Sequence, residues 1–526
     1  MNPPLYPLRP LGGLNRRTFL AGSASLAVAA LARDHAWGSV KRTPAFSADP
    51  FSLGVASGDP TPDGFVLWTR LAPKPLEGDG GVSAEPVEVA WQVAEDESMG
   101  KVVAQGTAVA TPEWGHSVHV EVAGLRPDRW YWYRFKAGSA MSPLGRTRTF
   151  PAADALPDRL RFTFASCQHF EMGHYTAYEH MRREAPDLVI HLGDYIYEYA
   201  GVGKRVRLHH GPETTTLHGY RTRLAQYRTD PALQAMHAAA PWLVTWDDHE
   251  FDNNCANDIS EEKGVSREDF LKRRAASYQA YYENMPLRRT ALPTGPDMRL
   301  YRNVAFGRLA QFQVLDTRQY RTDQPCGDGS KPPCPESFAP NATLLGAAQR
   351  DWMFKNLARS TCEWNVLAQQ VMMARVDRKA GPEITHSMDQ WPGYEFERRR
   401  VLKYFADQRV KNPIVLTGDI HSNWANNLIA DFDDLEGRTV ATEFVGTSIS
   451  SGGDGPLEPP GLVATYAENP FVKFHSAERG YVSCDVTPTA WTTRFQAVEY
   501  VSRPGAPLHP RATFVVESGR PELQKA

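Results

Sequence analysis

Alternating hydrophobic and polar positions dominate residues 51–150 of the chain. Runs rich in Val, Trp and Tyr are separated by Gly, Pro and Asp turns, and they lie at 66–70, 87–93, 116–122 and 130–135. Such runs between turn residues are typical of β-strands. We therefore predict a small β-sandwich of the fibronectin or immunoglobulin kind over residues 46–152. Nothing in this region suggests chemistry, so its expected role is to pack against a catalytic domain or to shape access to it.

Beyond Pro157 short apolar runs alternate with longer stretches of helical character. Strands are predicted at 160–165, 188–191, 242–246, 301–306, 309–315, 364–367 and 414–416, and helices at 175–184, 219–236, 268–284, 345–358 and 395–407. This alternation predicts an α/β domain over residues 158–515. Segments 201–216 and 323–341 are predicted to be long loops, which in compact domains are often functional. The tail from Arg438 is β-like again and includes a β-like run over 511–516, so the sequence does not predict a helical lid, and whether the C-terminus covers the site stays open.

The first residues have the pattern of a targeting segment. Arg16 and Arg17 precede Phe-Leu and a weakly hydrophobic run of small residues over 21–32. Paired arginines in this setting predict a twin-arginine signal peptide with a linker over residues 1–45, cleaved somewhere between Ala36 and Ala48. The run is too short for a membrane span. The prediction is export through the twin-arginine translocase to the periplasm or the extracellular space.

Composition narrows the functional classes. The chain has 526 residues, 42% of them hydrophobic and 23% charged, with a net charge of -3. This composition is typical of a globular protein. The chain lacks the surplus of basic residues that would suggest nucleic-acid binding. No C-x-x-C pair occurs among the six cysteines, which argues against zinc-ribbon and thioredoxin folds. Cys326 and Cys334 flank a short loop, and we predict a disulfide between them in an exported protein.

Polar side chains follow four of the predicted strands. Candidate ligands at these strand ends are Cys167, Asp194 with Tyr197, Asp248 with Asn253 and Asn254, and Asp419 with His421. Ligands in α/β sheets gather at the carboxyl ends of strands, so we expect these groups to converge on a metal site. Carboxylate, amide and imidazole ligands suit hard or borderline cations, whereas thiolate and phenolate suit ferric ion. Taken singly, Gly193-Asp194 is also typical of a turn, and Cys167 of a buried core residue.

Several roles at these strand ends remain open. Asp247 and Asp252 are interpreted as turn-capping and charge-balancing residues. One of Asn253 and Asn254 is expected to coordinate metal and the other to cap a helix. His249 is the candidate catalytic residue, because imidazole can protonate a leaving oxygen near neutral pH or orient a phosphate. Arg318 and Arg479 are candidates for phosphate binding, although a buried arginine pairs with carboxylates at least as often.

These motifs resemble the blocks of the calcineurin-like metallophosphoesterases. Gly193-Asp194 matches their G-D block, and Asp248-His249-Glu250 stands where N-H-D/E is usual. Ser166-Cys167-Gln168 replaces D-x-H, and Gly418-Asp419-Ile420-His421 replaces G-H-x-H. The departures are similar to those of one branch, the alkaline phosphatase D or PhoD-like family, and further similarity at 54–60, 282–288, 315–321 and 480–481 covers nearly the whole mature chain.

The resemblance implies a fold and a metal centre. The fold class is α/β, a metallophosphoesterase-type β-sandwich core flanked by helices and preceded by the small all-β domain. Ferric iron (Fe3+) is implied on Cys167, Asp194 and Tyr197. One or two calcium ions (Ca2+) are implied on the shared Asp194, with ligands drawn from the set Asp248, Asn253 or Asn254, Asp419 and His421.

The implied function is an exported, metal-dependent phosphohydrolase that cleaves phosphate monoesters, diesters or both by attack of a metal-bound hydroxide. The natural substrate stays open, and a monomer is expected. One alternative is a phospholipase D-type phosphodiesterase acting on lipids, for which Tyr195, Tyr199 and Trp391 would offer an aromatic surface. The other is a non-catalytic metal-binding module.

Overall fold

The computed structural model describes residues 41–201 and 203–526, so the predicted signal peptide lies almost wholly outside the described residues. The N-terminal part is built from strands alone, apart from one short 3-10 turn: β1 (Val55–Thr61), β2 (Gly64–Arg70), β3 (Val87–Ala94), β4 (Val102–Ala110), β5 (Ser117–Val122), β6 (Trp130–Ala137), β7 (Ala140–Met141) and β8 (Gly145–Arg148). Inward-facing Phe65, Leu67, Val89, Tyr133 and Phe135 form its core. The predicted β character of this region is confirmed.

The next part alternates strands and helices as predicted: β9 (Leu160–Ala165), α1 (Thr176–Arg183), β10 (Leu188–Leu192), α2 (Leu217–Arg228), α3 (Pro231–Ala239), β11 (Trp242–Thr245) and α4 (Arg267–Asn284). Strand β10 is apolar except for one histidine and is buried along its whole length, as parallel strands covered on both faces usually are. The predicted single helix over 219–236 is wrong. Asp230 ends α2 and caps α3 by accepting from the amides of Ala232 and Leu233, while Pro231 occupies the first turn.

The remaining chain adds a second α/β segment and a β-rich tail: β12 (Arg302–Phe306), β13 (Ala310–Val314), β14 (Ser330–Lys331), α5 (Gly346–Arg359), β15 (Trp364–Ala368), β16 (His386–Ser387), α6 (Glu395–Asp407), β17 (Pro413–Thr417), β18 (Asn423–Ile429), β19 (Thr439–Val445), α7 (Leu462–Glu468), β20 (Val472–Ser476), β21 (Arg479–Val486), β22 (Ala490–Val498), β23 (Leu508–Glu517) and β24 (Arg520–Lys525). Short 3-10 turns occur at 112–114, 289–291, 325–327, 335–338 and 391–394. The predicted β-like end is confirmed by β23 and β24.

Two large sheets face each other across the main core. One has ten strands in the order β24-β23-β22-β21-β9-β10-β11-β1-β2-β5, and the other has seven in the order β12-β13-β15-β17-β19-β18-β20. Side chains from both sheets fill the space between them, as where Phe162 meets Phe312 edge to face. The N-terminal strands β1, β2 and β5 continue the larger sheet, because β1 pairs with β11. The N-terminal part is therefore joined to the rest by a shared sheet.

The predicted disulfide is confirmed. Cys326 and Cys334 are bonded across the loop that they flank. Cys167, Cys255, Cys362 and Cys484 are free and buried. No helix among the described residues is long and apolar enough to span a membrane.

Candidate metal centre

The four polar strand ends meet at one place. Strands β9, β10 and β11 are parallel neighbours in the ten-stranded sheet, and β17 lies in the facing sheet. Their carboxyl ends carry Cys167, Asp194, Asp248 and Asp419. The loop after β17 passes so close to the loop after β9 that a Cβ at Gly418 would lie 2.6 Å from Oγ of Ser166. Glycine at this position therefore allows the two sheets to share one site.

Five of the candidate ligands have left-handed backbone conformations. The φ angles are 58° at Cys167, 55° at Asp194, 48° at Asn254, 66° at Asp419 and 54° at His421. Non-glycine residues rarely adopt this conformation, and those that do cluster at active sites and ligand-binding turns. At the four other than Asn254, the turn reverses the chain as it leaves the sheet and presents the side chain to the cleft.

Two groups of metal-binding side chains share Asp194. The donor atoms of Cys167, Asp194 and His421 lie within 4.8 Å of one another, and so do those of Asp194, Asp248 and His249. Tyr197 adds its hydroxyl to the first group, donating to Oδ2 of Asp194 at 2.7 Å and lying 2.9 Å from Nε2 of His421. A carboxylate common to two adjacent donor groups is suited to bridge two cations.

The donor set fits a metal better than it fits an internal hydrogen-bond network. Oδ1 of Asp194 is buried and has no hydrogen-bond partner among the described residues. Buried polar atoms normally have partners, and an orphaned carboxylate oxygen needs an explanation such as a bound ion. Thiol, phenol, carboxylate and imidazole together suit iron, with oxygen donors left for a harder ion.

The electrostatics of the donor groups also favour a cation at this site. Burial and the nearby Asp194 carboxylate raise the pKa of the Cys167 thiol well above its usual value. Burial, together with Asp248, Asp247 and Glu250, likewise raises the pKa of Asp194. Burial raises the pKa of Asp419 to about 6. A cation would reverse these shifts, because it stabilises the deprotonated form of each ligand.

His249 is held by a buried carboxylate that the sequence analysis did not assign. Its Nδ1 lies 2.9 Å from Oε2 of Glu198. Burial opposes the charge of His249, but Glu198, Asp248 and Asp194 outweigh burial and hold its pKa well above the usual range. A His–carboxylate pair fixes the ring orientation and leaves the other nitrogen for chemistry. The available signal was the position of Glu198, four residues after Asp194 in the same loop.

Acidic and basic residues behind the centre bind one another and the surrounding backbone. Glu250 accepts hydrogen bonds from the amides of Asp194, Tyr195 and Asp247, which ties the loops after β10 and β11 together. Asp247 pairs with Arg318 at 2.5 Å, and Asp252 pairs with Arg273 at 2.9 Å. The charge-balancing interpretation of both aspartates is confirmed.

Both arginines considered for phosphate binding are engaged by other groups of the protein, Arg318 with all three of its nitrogens and Arg479 with two. Arg318 is completely buried and also binds Asp389 with both terminal nitrogens, at 2.9 and 3.0 Å. Arg479 donates to the backbone carbonyls of Gly453 and His421. Both arginines therefore support the site rather than face the cleft.

A second buried cluster supports Tyr197 from behind. The His169 ring packs on the Tyr197 ring with centroids 4.3 Å apart. The Tyr227 hydroxyl accepts from the Tyr197 amide at 3.1 Å and lies 3.0 Å from Nε2 of His209. His209 comes from the predicted long loop 201–216, and its backbone amide donates to Glu171. The members of this cluster come from segments that are separated along the chain, so no local sequence pattern predicts it.

Asn253 and Asn254 lie at the rim. Their side-chain amides both donate to Glu261, while their backbone amides donate to Glu198 and to Asp248 respectively. Of the three aromatic residues considered for lipid binding, Tyr195 and Trp391 are fully buried, and Tyr199 is partly exposed. Tyr195 and Trp391 therefore belong to the core, and of the three only Tyr199 contributes to the surface.

Comparisons with known proteins agree with this geometry. The model of the PhoD-like phosphatase family matches residues 162–495, and that of its N-terminal domain matches residues 37–151. The chain belongs to the PhoD-like phosphatase family, and it is therefore a phosphohydrolase. It is 50% identical over 520 residues to alkaline phosphatase D of Bacillus subtilis (strain 168), covering 97% of this chain and 89% of the relative.

A solved structure described as the structure of PhoD shares 51% sequence identity and superposes with a TM-score of 0.90, over 92% of this chain and 93% of that chain. This similarity confirms the predicted α/β class with an N-terminal β region. It also confirms the resemblance drawn from the strand-end motifs.

Proposed function

We propose that this phosphohydrolase is metal-dependent and holds ferric iron on Cys167, Asp194 and Tyr197. One or two calcium ions are proposed on Asp194 and on further ligands from Asp248, Asp419, His421 and one of Asn253 and Asn254. The observation that carries the proposal is the position of Asp194, which is common to both donor groups and has an orphaned buried oxygen. When bound, such a pair of cations supplies Lewis acidity and an activated water for displacement at phosphorus.

His249 is the proposed general acid. Because Glu198 occupies Nδ1, the other ring nitrogen is available to give a proton to the leaving-group oxygen. The neighbouring carboxylates favour the protonated ring, so the acid is ready before substrate arrives. The hydroxyl of Ser451 donates to the Tyr197 oxygen at 2.8 Å and so holds that oxygen beside Asp194. No serine or threonine nucleophile is needed.

The proposed substrates are phosphate monoesters, diesters or both, as the printed name of the Bacillus subtilis relative suggests for the monoester class. The paired Arg16 and Arg17 further support export through the twin-arginine translocase, with the mature enzyme acting as a monomer outside the cytoplasm. The domain limits 46–152 and 158–515 remain part of the proposal.

The decisive experiment is hydrolysis of p-nitrophenyl phosphate and bis(p-nitrophenyl) phosphate by the mature protein, with calcium and then with chelator. Elemental analysis of the same sample gives its iron and calcium content. We expect chelator-sensitive turnover and bound iron. Full activity in a sample without iron would contradict the proposed centre. Bound metal without turnover of either ester or of a phospholipid would support the non-catalytic metal-binding module.

The role of His249 is tested by His249→Ala. We expect a loss of about a hundredfold or more in kcat, since a positioned general acid contributes on that order. Iron content is expected to stay close to that of the unmodified enzyme. Loss of iron would identify His249 as a ligand instead.

A further inference from the structure

Among the donor side chains with a stated exposure, those of Asp419 and His421 are the most exposed to solvent. Cys167 and Asp194 are both 1% exposed, whereas the side chains of Asp419 and His421 are 19% and 34% exposed. A phosphate ester from solvent therefore reaches the centre past Asp419 and His421. Any side chain that binds the phosphoryl group on its way in must lie beside these two residues.

Arg378 lies at this exposed side. Its Nη2 donates to Oε1 of Gln390 at 3.2 Å, and Nε2 of Gln390 donates to Oδ2 of Asp419 at 3.2 Å. The amide of Gln390 thus links the guanidinium directly to a carboxylate of the centre. Arg378 remains exposed to solvent, although burial by the surrounding protein lowers its pKa.

The guanidinium of Arg378 has unused donors. It makes one side-chain hydrogen bond and no ion pair within residues 41–201 and 203–526. Arg318 is committed to Asp247 and Asp389, and Arg479 uses Nε for the carbonyl of Gly453 and Nη1 for the carbonyl of His421 and the hydroxyl of Ser448. Five N–H groups in a fixed fork match the oxygens of a phosphate, and a guanidinium is charged at any relevant pH.

The backbone of Arg378 is well anchored for such a role. The amide of Arg378 donates to the carbonyl of Thr385, which closes the loop 377–385 at its base. The carboxylate of Asp377 accepts from the amides of Lys379 and Thr385, and the amide of Asp377 donates to Asn469. The Cα position of Arg378 is therefore fixed, while its side chain is free to follow a ligand.

We propose that Arg378 binds the phosphoryl oxygens of the substrate and favours dianionic monoesters over monoanionic diesters. The inference rests on the proposed function of the centre. A monoester dianion carries one more negative charge than a diester monoanion, so a guanidinium with unused donors beside the centre attracts the dianion more strongly. Arg378 is thus a substrate-binding and specificity-determining residue.

The test compares Arg378→Gln with Lys379→Gln, which removes the same charge one residue further along the loop. Lys379 pairs with Glu383 on the surface and has no contact with the centre. Two readouts are needed: binding of inorganic phosphate by calorimetry, and kcat/KM for p-nitrophenyl phosphate and bis(p-nitrophenyl) phosphate. Iron and calcium content and thermal unfolding are measured for every variant.

For Arg378→Gln we expect phosphate to bind about tenfold more weakly, since a hydrogen bond to a charged group is of that strength. The value of kcat/KM should fall about tenfold for the monoester and much less for the diester. Arg378→Lys should be intermediate, and Lys379→Gln should change neither readout. Unchanged phosphate binding, an equal loss for both esters, or a loss of metal that explains the lost activity would overturn the inference. An unmodified enzyme that hydrolyses neither ester would instead contradict the proposed function.

Discussion

Nδ1 of His249 and Oε2 of Glu198 lie 2.9 Å apart, and both residues are at most 7% exposed. A buried histidine whose one nitrogen binds a carboxylate has a fixed ring orientation and a defined tautomer. Glu198 also accepts from the backbone amide of Asn253, so it joins the loop after β10 to the loop after β11. The orientation of the candidate acid therefore depends on a residue that does not itself reach the cleft.

The first prediction concerns Glu198→Gln. The amide keeps the shape of the carboxylate but no longer favours the protonated ring, so kcat should fall about 10- to 100-fold for both esters. Glu198 raises the pKa of His249, so this pKa should be lower in the variant. The decline of kcat at high pH should then begin at a lower pH, which a purely structural role would not cause. Glu499→Gln is the matched control, because Glu499 contacts His509 in an exposed pair. Similar losses in both variants would contradict the assignment of Glu198.

The second prediction concerns visible absorption. If Tyr197 and Cys167 bind ferric iron, the loaded enzyme should be coloured through charge transfer from phenolate to iron. Tyr197→Phe should lose that band, while Tyr199→Phe should keep it, since Tyr199 contacts His249 but neither Asp194 nor Cys167 by hydrogen bond. Absorption spectra and iron analysis of the two variants check this. A coloured Tyr197→Phe enzyme would exclude Tyr197 as the source.

The third prediction concerns the cluster behind Tyr197. In Tyr227→Phe the amides of Tyr197 and Phe170 lose their acceptor, and His209 loses its neighbour. Because outer residues orient metal ligands, iron affinity should fall about 10- to 100-fold. Metal competition assays measure this directly. Tyr404→Phe is the control, because the Tyr404 hydroxyl donates to a carbonyl of α5 far from the centre. Equal iron affinity in the two variants would show that Tyr227 only fills space.

The fourth prediction separates structural arginines from substrate-binding ones. Arg318→Met leaves Asp247 buried without its charged partner and leaves Asp389 with Arg321 as its remaining arginine, so the free energy of unfolding should fall by about 3–5 kcal/mol. Arg520→Met removes only an exposed partner of Glu517 and should cost less than about 1 kcal/mol. Denaturant titrations of both variants check the difference. A fully stable Arg318→Met enzyme with weaker phosphate binding would reinstate Arg318 as a substrate-binding residue.

Much of the fold was predictable because local pattern and final structure agree. The alternation of runs between 160 and 417 is found as β9 to β17 with their helices, and the limits differ by few residues. The one helix that was wrongly joined, 219–236, divides where Asp230 and Pro231 provide a local cap that outweighs the continuous helical pattern. The continuation of β1 into the larger sheet could not be predicted, since Gly58 pairs with Trp242 far along the chain.

By itself, the sequence determined which residue types stand at the strand ends, and hence the chemistry they can perform. Cys167, Asp194 and Asp248 follow three apolar runs that form neighbouring parallel strands, whose carboxyl ends lie at one edge of a sheet. Asp419 follows a fourth apolar run, which belongs to the facing sheet. The Cys326–Cys334 pairing was likewise local, because the loop between the two residues is short.

Only the tertiary structure decided which polar residues are committed to one another and which remain available. Arg318, Arg479 and Arg378 are equivalent as sequence, yet buried carboxylates engage every nitrogen of Arg318, two nitrogens of Arg479 bind neighbouring groups, and the exposed Arg378 makes a single side-chain hydrogen bond within the described residues. The pairing of Glu198 with His249 and the packing of His169 on Tyr197 are likewise products of folding. Hydrogen-bond partners depend on distances between segments that are remote along the chain, and burial sets the strength of each such interaction.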